Sequence, residues 1–362
     1  MTRSQEAHEA PEAPAPDGLR VAVLGATGLV GREMLRQLEA RRFPVAELRA
    51  LGSESPRARH VPFGGAAVPV ETVTAERLAD VDVVLASAGG AVSRRWLPGA
   101  AASGAVCIDN TSAFRMDPDV PLVVPEVNAD ALTGITLGGG APSSAERRGA
   151  IIANPNCSTI QLVVALAPLA RAFGLERVLV STYQSVSGAG GAALAQLDAA
   201  SRARLDDPET PPPDGEGAVP AFDVLPLIGT LEDDGVTDEE RKMMRETPKI
   251  LGVDVALDVT CVRVPVHVGH AETVVVETSR PASAEDIRAA FGAAPGLALH
   301  DDVPTPRRLA GSRDVHVGRL RPAHTFEHGW AFWVVADNLV KGAAWNAVQI
   351  AEALVAQRDA GN

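Results

Sequence analysis

Residues 19–43 read LRVAVLGATGLVGREMLRQLEARRF. An apolar strand, Arg20 to Leu24, runs into three glycines, Gly25, Gly28 and Gly31, and then into a helix through Leu38. That strand–turn–helix context is what a glycine fingerprint for a dinucleotide requires. Gly25 permits the tight turn. Gly28 lets a pyrophosphate approach backbone N–H groups at the helix start, and Gly31 lets the helix pack near the strand. The spacing is GxxGxxG, not GxGxxG, so the glycines alone also fit a tight turn in an unrelated α/β protein. The strand before them and the amphipathic helix after them favour the dinucleotide site, with Thr27, Leu29 and Val30 lying inside it.

More strands follow: VAELRALGS, VDVVLASAGG, AVCIDNTSAF and a short apolar LVVPEVN. In doubly wound sheets, ligands bind outside the carboxyl ends of strands. Ser87, Ala88, Gly89, Asn110 and Thr111 all fall there. Ser87 to Gly90 also fits a plain strand–helix connection. The second strand should end near the group that reads the ribose, where the chain has ALGSESPRARH. Ser53, Ser55, Arg57 and Arg59 suit a 2′-phosphate, and Glu54 suits a free ribose hydroxyl.

The run IIANPNCSTIQLVVALAPLA, residues 151–170, sets Cys157 where a polar turn becomes an apolar helix. The helix is expected to reach Phe173 and stop at Gly174. Asn156 or Ser158 is placed to cap it. Unpaired amides of the first turn would stabilise a thiolate, so Cys157 is expected to be solvent-facing, activated and a covalent nucleophile. The other reading is a structural cysteine at a helix start. Cys107 and Cys261 lie inside strand patterns and read as small buried hydrophobes.

In the second half, RVLVSTYQSVSGAGGAAL reads as strand, glycine turn and helix, with Gln184 and the Ser187–Gly190 run at the joint. TDEERKMMRETPKIL is a charged helix on which Glu239 and Lys242 share a face. On pattern alone that pair is a solvated one. ALDVTCVRVPVHVGHAETVVVETS gives two strands joined through VHVGH, with Arg263 and His270 near the turn. A buried, satisfied histidine is the default. The neighbouring Gly269 and the apolar strands instead place His270 near a tip with access to a ligand, the best local acid–base candidate. His267 competes with it. The last stretch, WAFWVVADNLVKGAAWNAVQIAEALVAQ, gives a strand, a turn and a helix expected to return to the first domain.

The bulk composition bounds these readings. A chain of 362 residues has room for two domains. A net charge of −13 argues against a nucleic-acid binder, because a phosphate backbone demands a concentrated basic surface. No apolar run is long enough to span a membrane. Three cysteines make no disulfide framework, and a reactive thiol implies a reducing, cytoplasmic setting. Residues 1–18 lack an apolar stretch and read as a disordered tail. No metal site is expected. A dinucleotide unit with an activated cysteine suggests oxidoreduction through a thiohemiacetal or thioester. Arg115, Arg263 and Lys242 are candidates for holding an anionic substrate.

The pieces GATGLVG, SAGG, DNTSAFR, VPEVN, NPNCST, YQSVSGAG, EERK with ETPKI, RVPVHVGH and DNLVKGAAWNAVQIAE occur in this order from about Leu19 to Leu354. Together they resemble the aspartate-semialdehyde dehydrogenase family. The resemblance implies a Rossmann-like NADP-binding domain over 19–152 and an α+β catalytic and dimerisation domain over 153–342. It also implies a helix over 343–362 that returns to the first domain. The implied reaction is the NADP-dependent interconversion of aspartyl phosphate and aspartate semialdehyde, at the branch point to lysine, diaminopimelate, methionine and threonine. By the family pattern Cys157 attacks the acyl phosphate, Gln184 positions the acyl intermediate and His270 is the acid–base group. Arg263 and Glu239 look like contacts to the substrate's carboxylate and amino group. Arg115 and Lys242 look like phosphate contacts, with Asn156 nearby. Ser187, Gly188 and Asn338 are implied at the cofactor, and a homodimer is implied as the assembly.

Some features depart from the pattern. Many relatives read S-x-R-S-A-G after the second strand, and here Ser55 holds the arginine position. The 137–150 loop is longer than many relatives need, and the Pro-rich stretch near 205–217 is also distinctive. N-acetyl-glutamyl-phosphate reductase is disfavoured by Asn156 where its relatives carry glycine before the cysteine. A CoA-thioester reductase would dispense with Arg115 and Lys242. A non-catalytic scaffold would not retain Cys157, Gln184, Arg263 and His270 together.

Overall fold

The computed structural model describes residues 18–52, 59–138, 149–211 and 221–361. The tail over 1–17, the calls on Ser53, Ser55 and Arg57, residues 139–148 of the first distinctive loop and 212–217 of the second lie outside the described residues.

The first half alternates strands and helices. It runs β1 (Leu19–Leu24), α1 (Leu29–Ala40), β2 (Val45–Gly52), β3 (His60–Phe63), β4 (Ala66–Thr72), α2 (Ala75–Ala79), β5 (Val83–Ala86), α3 (Gly90–Ala102), β6 (Val106–Asp109), α4 (Pro125–Asn128) and β7 (Ala150–Ala153). The strands form one sheet in the order β3-β4-β2-β1-β5-β6-β7, parallel except for the β3–β4 pair. Apolar residues on both faces explain the near-continuous burial of β1, β5 and β6. The strand order reverses between β1 and β5, and a ligand crevice belongs at the carboxyl ends of those two strands. LVVPEVN is not the strand expected. It makes an isolated bridge, Leu122 to Ala153, and then the one-turn helix α4. Pro125 begins that turn, where its missing N–H costs nothing. The Asn128 side chain accepts from Val124 N–H at 2.9 Å and donates to Leu122 O at 2.9 Å.

The second half contains α5 (Cys157–Phe173), β8 (Arg177–Gln184), α6 (Gly191–Asp206), α7 (Asp238–Leu251), β9 (Ala256–Arg263) and β10 (His270–Glu277). Then come α8 (Ala284–Ala293), β11 (Leu297–Leu299), α9 (Pro306–Leu309), β12 (Val315–Pro322) and β13 (Gly329–Ala336). These strands form a second sheet, β11-β12-β13-β10-β8-β9. β8 runs parallel to β9 and antiparallel to β10, so the segment after Arg263 crosses over the end of β8. One face of this sheet is buried by α5 and α8, with α7 against β9. The other face is open, with Leu179 39% and Tyr183 38% exposed.

Asn156 caps α5 by accepting the Ser158 and Thr159 amides, and Gly174 ends it with φ of +74°, as the sequence leads one to expect. α5 is apolar on every side because both halves of the molecule pack around it. A π-turn, Val340–Ala344, then leads into α10 (Trp345–Gly361). α10 packs on α1 and beneath β5 and β6, and Val348, Ile350 and Leu354 share a core with Leu19, Val21 and Leu35.

Candidate active site

The carboxyl ends of β1 and β5 meet at two glycines that no other residue could replace. Gly25 has φ of +93°, and a Cβ there would lie 2.9 Å from the Ser87 carbonyl carbon. A Cβ on Gly31 would lie 2.1 Å from Gly25 O. Gly28 is the N-cap of α1 and offers no side-chain cap, which leaves the first-turn amides free for an anion. Thr27, Leu29 and Val30 stay partly exposed at this turn. Ser87 Oγ is buried at the end of β5 with no hydrogen-bond partner, and Gly89 opens α3 with φ of +98°. Leu29 lies 3.8 Å from the Cβ position of Gly191, so the second half closes one side of the cradle. A dinucleotide fits these residues.

Cys157 begins α5, half-buried, beside the π-turn. The thiol is less exposed than the solvent-facing one expected. Burial, with Glu239 second, pushes the Cys157 thiol up to about 12, while Arg115, Arg263 and the Ser158 amide pull the other way. One physical reason is the cap. The Ser158 and Thr159 amides point at Asn156 Oδ1, at 2.9 and 3.2 Å, so the dipole of the helix start is partly spent before it reaches sulfur. Cys107 and Cys261 are buried within strands, as expected.

A connected polar group surrounds the thiol. Gln184, at the end of β8, donates to Ser158 Oγ at 2.5 Å and to Glu239 Oε1 at 3.1 Å. Its own Oε1 is buried without a partner. Asn156 also donates to Glu239 Oε1, at 2.8 Å. Glu239 and Lys242 are not the solvated pair of the pattern-only reading. Glu239 is only 9% exposed and is held ionised by Lys242, Asn156 and Gln184 against the cost of burial. Lys242 sits 3.2 Å from Glu239 and 2.7 Å from Asp238, which raises its pKa despite partial burial.

Arg115 lies under this group. It donates to Asn154 O, to Asn110 O and to Glu246, a buried ion pair of 2.9 Å. The other Glu246 oxygen accepts the Asn156 amide at 2.7 Å. Three of the five guanidinium N–H groups are thus committed to the interior, leaving two for a ligand. Glu246, Asn154 and Asn346 are partners that reading the sequence missed. The motif ETPKI contained Glu246, but nothing in its spacing said that it would meet Arg115.

Arg263, at the end of β9, is different. It donates to Ser185 O at 2.7 Å, and no carboxylate lies within ion-pair distance of it among the described residues. Burial lowers its pKa. Beside it His270 is 1% exposed, and its Nε2 is buried with no partner. This is not the accessible, titrating imidazole expected: burial and Arg263 hold its pKa well below the usual histidine value. Gly188 lies between the two. A Cβ there would sit 3.3 Å from Arg263 Nη1 and 3.4 Å from His270 Nε2. Ser187 and Asn338 line the same wall. Asn338 Oδ1 accepts from Ser185 Oγ, Ser187 Oγ and the Gly269 amide at 3.0, 3.1 and 2.9 Å. His267 is exposed and pairs with Asp198.

The structure therefore gathers Cys157, Gln184, Glu239 and Asn156 on one side, with Arg263, His270 and Gly188 grouped at the ends of β9 and β10. Arg115 and Lys242 flank them. This assembly can hold an anionic acyl compound against a thiol, beside a dinucleotide cradle.

Comparison with known proteins agrees with that chemistry. The family described as semialdehyde dehydrogenase, NAD binding domain, matches residues 20–135. The one described as semialdehyde dehydrogenase, dimerisation domain, matches residues 166–341. The chain is 45% identical over 350 residues to the aspartate-semialdehyde dehydrogenase of Bacillus subtilis, covering 93% of this chain and 97% of that one. It is 47% identical over 339 residues to aspartate-semialdehyde dehydrogenase 2 of Vibrio cholerae, covering 92% and 97%. A crystal structure of aspartate semialdehyde dehydrogenase II from Vibrio cholerae superposes with a TM-score of 0.85 over 93% of this chain and 98% of that one, at 45% identity. Its complex with ASA gives 0.84 at 46% identity, with the same coverage. With a dinucleotide cradle, a cysteine at a helix start and full-length identity at this level, the chain belongs to the aspartate-semialdehyde dehydrogenase family, oxidoreductases of amino-acid biosynthesis.

Proposed function

We propose that this chain catalyses the reversible, NADP-dependent reductive dephosphorylation of L-aspartyl 4-phosphate to L-aspartate 4-semialdehyde through a thioacyl enzyme on Cys157. The observation that carries it is Arg263, a half-buried guanidinium with no carboxylate within ion-pair distance among the described residues, set beside Gly188 and the unpartnered His270 Nε2. A buried cation without a counter-ion is costly, and an anionic ligand removes that cost. The substrate α-carboxylate is that ligand. The Vibrio cholerae relative captured with ASA supports the same class of substrate.

In the biosynthetic direction Cys157 Sγ bonds to the acyl carbon as the bond to phosphate oxygen breaks. The thiol proton is relayed by His270, the acid–base group of the family pattern, and leaves with phosphate. Arg115, with its two uncommitted N–H groups, and Lys242 hold the phosphate. Glu239 orients the substrate amino group. Gln184, fixed by Ser158 and Glu239, borders the bound acyl group and offers its free Oε1 as an acceptor to a donor of the substrate, such as its amino group. The glycine turn over Gly25–Gly31, with Ser87, would hold the dinucleotide, which when bound would supply the hydride for the thioester carbon.

The preference for NADP over NAD rests on the serines and arginines of 53–59. We also read the chain as a cytoplasmic homodimer joined through the open face of the second sheet, around Leu179 and Tyr183. The match of residues 166–341 to a dimerisation domain supports that assembly.

The test is phosphate-dependent reduction of NADP and of NAD with aspartate semialdehyde, for the wild type and for Cys157→Ala. The expected result is activity only with phosphate, faster with NADP, and lost in the variant by on the order of 10⁴ or more. Activity that ignores phosphate would overturn the reaction. Equal rates with both cofactors would overturn the preference. Light scattering that reports a monomer would overturn the assembly.

A further inference from the structure

Lys249 sits in the last turn of α7, and its ammonium reaches from the second half of the chain to three main-chain oxygens of the first. It donates to Arg115 O at 2.7 Å, to Asp117 O at 2.9 Å and to Val120 O at 3.1 Å. An ammonium has three protons and accepts nothing, so all three are spent on this turn and none is left for a ligand. The turn needs such a tie. It lies between β6 and α4, where residues 116–119 are exposed and belong to no strand or helix. One turn earlier on the same face of α7, Glu246 receives the other end of Arg115. Its Oε1 accepts from the guanidinium at 2.9 Å, and its Oε2 accepts the Asn156 amide at 2.7 Å, next to Cys157. Glu239, Lys242, Glu246 and Lys249 thus fall at helical spacing along one stripe of α7.

We propose that Lys249 is a positioning residue for phosphate: by fixing the main chain at Arg115, Asp117 and Val120, it sets the point from which the Arg115 side chain reaches the site. Glu246 sets the direction of the guanidinium, and Lys249 sets where its stem begins. The inference rests on the function proposed above and adds to it a residue whose ammonium has no proton left for the substrate.

The two uncommitted N–H groups of Arg115 then stand at one place relative to Cys157, whose thiol lies close enough to feel the guanidinium. A guanidinium holds phosphate through paired N–H groups in a rigid fork, so a small shift of its stem weakens both bonds together. The semialdehyde is spared such a shift. Arg263 hangs from β9, Gln184 from β8 and Glu239 from the first turn of α7, and none of them depends on the 115–120 turn. Loosening that turn therefore falls on phosphate and not on the aldehyde.

Lys249→Met is the first test. It keeps the stem, and Lys249 is only half-buried, so water can reach the carbonyls it leaves. The assay is phosphate-dependent reduction of NADP with aspartate semialdehyde, each concentration varied in turn. KM for phosphate should rise about tenfold, the effect of a few tenths of an ångström at a positioned group. KM for the semialdehyde should move by less than about twofold. Equal rises in both, or a lower Tm with neither KM changed, would make Lys249 a residue of the fold and overturn the proposal. Lys249→Arg separates position from charge. It keeps the cation, but a planar fork cannot aim N–H groups at the three oxygens that one ammonium reaches. KM for phosphate should stay raised, and full recovery would assign Lys249 to attraction by charge, against the proposal. Calorimetric titration with inorganic phosphate tells this failure from failure of the function. Weaker binding in Lys249→Met, with no phosphate-dependent turnover in the wild type, keeps the positioning role and drops the reaction. Turnover that needs phosphate, with KM for phosphate unchanged in Lys249→Met, drops the role and keeps the reaction. A wild type that neither binds nor uses phosphate overturns both.

Discussion

Gly342 lies so close to Cys157 that a Cβ built on it would stand 3.0 Å from the Cys157 Cβ. The contact comes from the π-turn, which Asp337 holds by accepting the Leu339 and Val340 amides at 2.8 and 3.0 Å. Single π-turns recur at functional sites because they move a short backbone segment out of helical register. Here the segment becomes the back wall of the nucleophile. Gly342→Ala should push Cys157 by a few tenths of an ångström. We expect kcat to fall about tenfold, since a 1 Å misplacement costs on the order of a hundredfold. A thermal-melt measurement beside the kinetics should show little loss of stability; unchanged kcat would mean that the wall yields instead of the thiol.

Arg263→Met should lower kcat/KM for aspartate semialdehyde sharply. Losing one partner of a buried charged contact costs about 2–5 kcal/mol, or roughly 30-fold to several thousand-fold. Stability should hardly move, because Arg263 holds no carboxylate at ion-pair distance among the described residues. A large drop in Tm with intact kcat/KM would instead assign Arg263 to the fold.

Glu272 lies on β10 two residues beyond His270, fully buried, and neither carboxyl oxygen has a hydrogen-bond partner. Burial raises its pKa to about 8, with Gln161 pulling the other way. The folded-state value is thus above the unfolded one. Stability is fully present below about pH 4.5 and is lost as pH rises through about 8. Glu272→Gln removes the titration. Its melting temperature should exceed that of the wild type by several degrees at pH 8.5 and match it near pH 5. Parallel Tm profiles would contradict this.

Alkylation of Cys157 in the unliganded enzyme should be slow at neutral pH. With the thiol pushed up to about 12, the thiolate fraction grows about tenfold per pH unit. The iodoacetamide rate should rise without a plateau from pH 7 to pH 10, and Arg263→Met should slow it further. A plateau below pH 9 would show a thiol already activated before ligands bind.

The large-scale plan was legible because it depends on periodicity. Gly25, Gly28 and Gly31 followed an apolar strand, and the helix from Cys157 to Gly174 carried both its cap and its stop. The ends of β8, β9 and β10 were legible too, since Gln184, Arg263 and His270 fell where strand patterns broke. What the sequence could not carry was environment. Whether the Cys157 thiol is activated depends on where Asn156 Oδ1 points and how closely Glu239 approaches. Whether Glu239 is solvated depends on which face of α7 meets α5. LVVPEVN misled for a simpler reason. Its apolar residues suited a strand, but Pro125 and the Asn128 side chain made a turn cheaper than a ladder.

The return of α10 to the first sheet bears on how the molecule is made. The core beneath β1 and β5 is not complete until Val348, Ile350 and Leu354 arrive. On the ribosome, where amino-terminal units ordinarily fold first, this one must wait with an apolar face uncovered while some two hundred further residues emerge. The core beneath the glycine turn and the wall behind the thiol are then completed by one continuous segment, the π-turn and α10.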